Sequence, residues 1–278
     1  VELFLESIPD VFHFLKNADK IKHEYDEDKV FDLFIVLDCG DEGRLGPFAK
    51  YYNAARHTLC IDHHVSNQSF AEDNYIIPDV SSTCELVFDM MDTDKITKEI
   101  AECLYTGMVH DTGVFQYSCT SPETMEAAAD LMRRNIRANE IIDKTFYEKT
   151  YAQNQILGRA LLESVLFMEG KCIYSCLTKE TMDFHGVKSK DLEGIVSQLR
   201  VTEGVEAAIF LYQTNEEEFK VSLRASGDVD VSKVAVTFGG GGHKGAAGAT
   251  VNMTMEEKRD AHRIQLCENS CTIFNNIM

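Results

Sequence analysis

Residues 31–41 read FDLFIVLDCGD, and residues 58–64 read TLCIDHH. Each is a short apolar run that ends abruptly in acids or histidines. Runs of this length, bounded by turn residues, predict buried strands, over 31–37 and 58–61. Between them, Gly-rich and polar residues lead into a predicted helix near 47–55. Strand, helix, strand predicts a parallel sheet and an α/β fold. The ends of both strands then deliver Asp38 and Asp41, and Asp62, His63 and His64, to the edge where open α/β sheets bind ligands.

Working outward, 83–91 and 97–109 carry apolar residues at helical spacing. Ser121-Pro122-Glu123 is a helix start, an N-cap followed by proline and an acid, for a helix running to about 134. A further helix over 138–163, without Pro or Gly until Gly158, is expected to link two halves. The pattern then changes. Residues 165–177, 205–212 and 218–224 alternate like strands, and 188–199 and 230–237 read as helices. Glycine-rich TFGGGGHKGAAGAT occupies 237–250, and a helix is expected from about 254. With 278 residues, two domains are expected.

The composition narrows the function. Twenty-seven basic against 46 acidic residues give a net charge of −19, which argues against a coat on long nucleic acid. A small anionic substrate in a local basic or metal-filled pocket stays compatible. Nine cysteines, without a C-x-x-C pair, read as reduced thiols of a cytoplasmic protein. No apolar run reaches the ~20 residues of a membrane span.

Three constellations carry chemistry. Asp38 with Asp62-His63-His64 combines carboxylate oxygen and imidazole nitrogen, a set that suits Mn²⁺ or another borderline metal better than Ca²⁺. Asp111, in GMVHDTGVFQ, is a candidate to join them. Gly240, Gly241 and Gly242, with His243 and Lys244, let backbone N–H groups approach an anion. Arg224, in SLRASG, could clamp a phosphate in bidentate fashion.

Five motifs in series, VLDCGD (36–41), IDHH (61–64), GMVHDTGVF (107–115), SLRASG (222–227) and FGGGGHKGAAG (238–248), resemble the DHH–DHHA1 phosphoesterase superfamily. The resemblance implies an N-terminal parallel-sheet DHH domain over 1–135, a helical linker over 136–163 and a smaller mixed α/β DHHA1 domain over 164–278. It implies two Mn²⁺ ions sharing Asp38, with His63 and Asp111 as further ligands. His64 would face the substrate phosphate and Asp62 would stand beside the metals, the two forming the catalytic pair. Arg224, Gly240, Gly241, Gly242 and His243 would hold the substrate's terminal phosphate. Two metals roughly 3.5–4 Å apart provide a nucleophile near neutral pH and neutralise phosphoryl charge.

The implied activity is hydrolysis of short 5′-phosphorylated oligoribonucleotides to mononucleotides, and of pAp to AMP, by an exonuclease that forms a homodimer. Two alternatives use the same residues: a phosphodiesterase for linear pApA or cyclic dinucleotides, and a nucleotide- or RNA-binding protein with a degenerate catalytic half. The likeness departs at one place. The family's first motif, a His-x-x-Pro-Asp-x-Asp loop after the first strand, is absent, and Asp10, His13 and Asp19 do not reproduce it. Since position 1 is Val, we expect a longer polypeptide with that motif to be the enzyme. We expect this chain to show weak activity or none.

Overall fold

The computed structural model describes residues 1–25 and 28–252. The helix expected from about 254, with Cys267 and Cys271, lies outside them.

The two apolar runs form β1 (Phe34–Leu37) and, after α1 (Ala49–Ala54), β2 (Thr58–Asp62). They pair in parallel, Val36 opposite Cys60, and β3 (Asp73–Ile76) adds parallel to β2. The sequence reading missed β3, because DNYI is short and half polar. One face of this sheet carries Phe34, Val36 and Cys60 into a core with Tyr52 and Ala71. The alternate residues face the other way, as a strand's period of two requires. There Ile35 and Leu37 stay about half exposed, at 48% and 49%.

Four helices follow: α2 (Thr83–Met90), α3 (Lys98–Asp111), α4 (Pro122–Met132) and α5 (Ala138–Ile142). The first three starts obey capping chemistry. Ser82 Oγ accepts from Glu85 N, and Ser121 with Thr124 forms a reciprocal capping box ahead of α4. The predicted Ser-Pro-Glu start is thus observed. These helices pack together through Leu104, Met108, Ala127, Leu131 and Ile141.

The single helix expected over 138–163 is instead two. After α5 the backbone widens into a π-helical turn, Asp143–Tyr147, and Glu148 is extended. Thr150, capped reciprocally by Gln153, then starts α6 (Tyr151–Leu162). The cap restarts what a lack of Pro and Gly had suggested was continuous. α5 belongs to the first core and α6, through Ile156 and Ala160, to the second. Contacts divide the chain between Glu148 and Lys149 into two units.

The second unit is built on a mixed six-stranded sheet of order β4-β5-β6-β7-β9-β8. Its elements are β4 (Val165–Phe167), β5 (Cys172–Leu177), α7 (Lys179–His185), α8 (Ile195–Arg200), β6 (Ala207–Gln213), β7 (Glu218–Ala225), α9 (Val231–Thr237), β8 (Gly241–His243) and β9 (Ala246–Asn252). The run 165–177 is a hairpin rather than one strand. Met168, Glu169 and Gly170 turn it with positive φ, although apolar alternation runs on into the turn. The helix expected over 188–199 is a 3-10 turn, Ser189–Leu192, then α8, divided by Gly194 at φ 87°. α7 was not anticipated. Ile156, Leu177, Leu199 and Phe210 fill one core, and Ile209, Phe219, Leu223 and Val231 another. Each fully buried side chain of this size contributes roughly 1.5–3 kcal/mol. The glycine-rich run is not a loop. It folds as the β8–β9 hairpin at the sheet edge, where a Cβ at Gly240 would lie 2.1 Å from the Gly248 carbonyl oxygen.

Candidate metal centre

Parallel pairing brings the ends of β1 and β2 side by side. Asp38 follows β1 in the left-handed region, φ 57°, which Asp tolerates better than most residues. Its N–H donates to the Ile61 carbonyl at 3.1 Å, so the ladder continues to the turn. Thr83 Oγ1, at the start of α2, donates to Asp38 Oδ1 at 3.0 Å.

Asp62 ends β2 fully buried. Its Oδ1 accepts from His64 Nδ1 at 2.7 Å and its Oδ2 from Asn67 Nδ2 at 2.6 Å. Burial pushes this carboxyl up, but the bonds from Asn67 and His64 outweigh it and hold it below the usual range. An ionised Asp62 assigns the proton of neutral His64 to Nδ1, which leaves the Nε2 lone pair available.

His63 Nδ1 lies 3.3 Å from the Val80 carbonyl, which can only accept, so Nδ1 carries the proton there too. His63 Nε2 then presents its lone pair 3.6 Å from Asp38 Oδ1 and 3.9 Å from Asp111 Oδ2. Asp111 is the last residue of α3. Burial first, and then the charge of Asp38, push its carboxyl up to about 6, while His63 and His64 pull the other way. Beside it, the His110 ring meets Phe12 and Phe146 edge-on, at 5.0 and 5.8 Å between centroids.

This geometry fits a divalent cation. One ligand atom each from Asp38, His63 and His64 lie within 4.8 Å of one another. The mutual repulsion of Asp38 and Asp111 is what a bound cation relieves. Both histidines are held in a defined tautomer by a second partner, as metal-ligating histidines usually are.

In the second unit, β7 and β8 flank β9, and Arg224, Ala246 and His243 stand opposite one another in register. Directly opposed residues of antiparallel strands share a face, so Arg224 and His243 lie on one side with a small residue between them. Arg224 Nη1 donates to the Leu223 carbonyl at 2.9 Å. Gly241, Gly242 and His243 are exposed, and Gly240 is half-buried.

The structure therefore collects Asp38, Asp62, His63, His64 and Asp111 in the first unit, and Arg224 with Gly240–His243 in the second. Sequence reading missed Asn67 and Thr83. For Thr83 a signal existed: Ser82-x-x-Glu85 is a capping-box pattern that marks Thr83 as the first residue of a helix.

A parallel sheet whose strand ends present carboxylate and imidazole, followed by a second mixed-sheet unit, defines the class. Residues 2–108 match the family "DHH family, N-terminal domain", and residues 169–265 match "DHHA1 domain". The chain belongs to the DHH family and carries a DHHA1 domain. The bifunctional oligoribonuclease and PAP phosphatase NrnA of Thermus thermophilus is 32% identical over 194 residues, 69% of this chain and 57% of that protein. NrnA of Bacillus subtilis is 24% identical over 243 residues, 86% of this chain and 75% of that protein. Among solved structures, an exopolyphosphatase-related protein from Bacteroides fragilis superposes with a TM-score of 0.84 at 26% identity, over 95% of this chain and 82% of that one. The match to the Thermus relative thus spans little more than half of its length. Among the described residues, no helix is long and apolar enough to cross a membrane.

Proposed function

We propose that the protein is a Mn²⁺-dependent phosphoesterase that cleaves short 5′-phosphorylated oligoribonucleotides and removes the 3′-phosphate of pAp. The observation that carries this reading is the convergence of Asp38, His63 and His64, with Asp111 3.9 Å from His63. The oligoribonuclease and PAP phosphatase names of two relatives support this substrate class.

Asp38, His63 and Asp111 would hold the cation through carboxylate oxygen and the free Nε2. When bound, a divalent cation supplies a nucleophile near neutral pH and offsets charge on phosphoryl oxygens. The chain's own residues do the rest. Asp62, buried and ionised, orients His64, whose unprotonated Nε2 is left to meet the substrate or its proton. Arg224 and His243 place donors on one face of the second sheet, and Gly240–Gly242 let a phosphate approach the backbone. Because no segment of this chain reproduces the His-x-x-Pro-Asp-x-Asp pattern, turnover by the chain alone is expected to be weak.

The deciding assay is hydrolysis of pAp, of pApA and of a 5′-phosphorylated mixed trinucleotide, with Mn²⁺ and then with EDTA. Metal-dependent release of mononucleotide from the trinucleotide and of AMP from pAp supports the proposal. Turnover of pApA alone would move the assignment to the linear-dinucleotide alternative. Nucleotide binding without turnover in an N-terminally extended chain would make the protein a binder.

A further inference from the structure

We propose that Thr83 and Glu85 are positioning residues that set the metal centre from outside it; the inference rests on reading Asp38 and His63 as ligands. The loop 80–83 reaches the centre at two points. The Val80 carbonyl faces His63 Nδ1 at 3.3 Å, and Thr83 Oγ1 donates to Asp38 Oδ1 at 3.0 Å. The first contact selects the His63 tautomer, and the second occupies one lone pair of Asp38 and so directs the others.

A single buried oxygen holds that loop. Glu85 Oε2 accepts from Ser81 N at 3.2 Å, from Ser81 Oγ, and from Thr124 Oγ1 at 2.8 Å. Glu85 is 3% exposed, and Ser81 and Thr124 are buried with it. These three donors are neutral. A buried carboxylate among neutral groups is a costly choice for a helix that an apolar residue would pack as well. The local rule is also broken. In an ordinary Ser-x-x-Glu box the acid returns to the N-cap N–H, whereas Glu85 reaches one residue further back, to Ser81, and across to α4. Departures of this kind concentrate where a site is being shaped. Thr124 completes the frame, since its hydroxyl also accepts from Ser121 N and so locks the start of α4 to the same oxygen.

The test is a Mn²⁺ titration of the full chain, followed by the electron-paramagnetic-resonance signal of free Mn²⁺, alongside thermal unfolding. Thr83→Val keeps the shape and removes the donor. It should weaken Mn²⁺ binding about 10–100-fold, the usual effect of losing a partner behind a ligand, with little change in Tm. Thr83→Ser should restore the affinity. Glu85→Gln can place its amide oxygen at the Oε2 position and should bind as the parent does, while Glu85→Leu should lose affinity as Thr83→Val does. Should Glu85→Leu fail to fold, the Thr83 pair decides alone. Asp38→Ala separates the two levels of the argument. Undiminished binding in Asp38→Ala overturns the ligand assignment itself. Lost binding in Asp38→Ala, with parental affinity in Thr83→Val, overturns the positioning role and leaves the centre standing.

Discussion

Asp111 shows the tension at the residue scale. Folding buries it beside Asp38, so its carboxyl titrates at about 6 rather than near 3.8. A value raised by folding means that the fold favours the protonated form. The contribution of this group to the stability of the metal-free protein is therefore fully present below about pH 4 and is lost as pH rises through about 6. Asp111→Asn removes the charge and keeps the shape. In EDTA at pH 8 we expect it to melt higher than the parent, by on the order of a few degrees, with the gap closing toward pH 4. Scanning calorimetry across that range checks both sign and window. A lower Tm at pH 8 would mean that Asp111 contributes net stabilising contacts in the metal-free state. Asp62 is the contrast. Its side chain is fully buried, yet two strong donors keep it ionised, so one motif supplies a carboxylate that needs no cation and another that does.

At the scale of elements, the centre depends on how closely α2 and α3 approach. Gly107 faces Cys84, and a Cβ at position 107 would lie 2.2 Å from Cys84 Sγ. Burial first, then the charges of Asp111 and Asp38, push the Cys84 thiol up to about 12, so it packs as a neutral side chain. Gly107→Ala should destabilise the protein by about 1–3 kcal/mol, the range for overpacked cores. Cys84→Ala in the same chain should recover most of that loss, and urea unfolding of the double-mutant cycle measures the coupling. Additive effects would show that the two helices can move apart freely. The elements legible in sequence were those with local signals: β1 and β2 from apolar runs, α2 and α3 from apolar spacing, and α4 from its cap. The β4–β5 turn and the break before α6 escaped notice. Nothing in residue type marks Met168 and Glu169 for positive φ; the pairing of β4 on β5 imposes it.

On the scale of the whole molecule, two units with separate cores stand one after the other in sequence. The first leaves Ile35 and Leu37 of the edge strand β1, and Leu33 just before it, about half exposed. An open edge with apolar side chains is a site for self-association. The double substitution Ile35→Lys, Leu37→Lys should lower the mass-average size in sedimentation experiments without lowering Tm. A clear fall in Tm would show that these side chains are packed in the folded protein.

Sequence by itself determined the α/β class, the parallel pairing of the first two strands and the identity of Asp38, Asp62, His63, His64 and Asp111 as one chemical set, because strand ends and helix ends are local events. Tertiary structure alone decided which of them meet: that Asp62 is sealed behind His64, that Asp38 and Asp111 repel across His63, and that the glycine run is a sheet edge carrying His243 on the same face as Arg224, with Ala246 between them. Distances between residues tens of positions apart follow from packing and register. No local pattern encodes the frame in which Glu85 accepts from both Ser81 and Thr124.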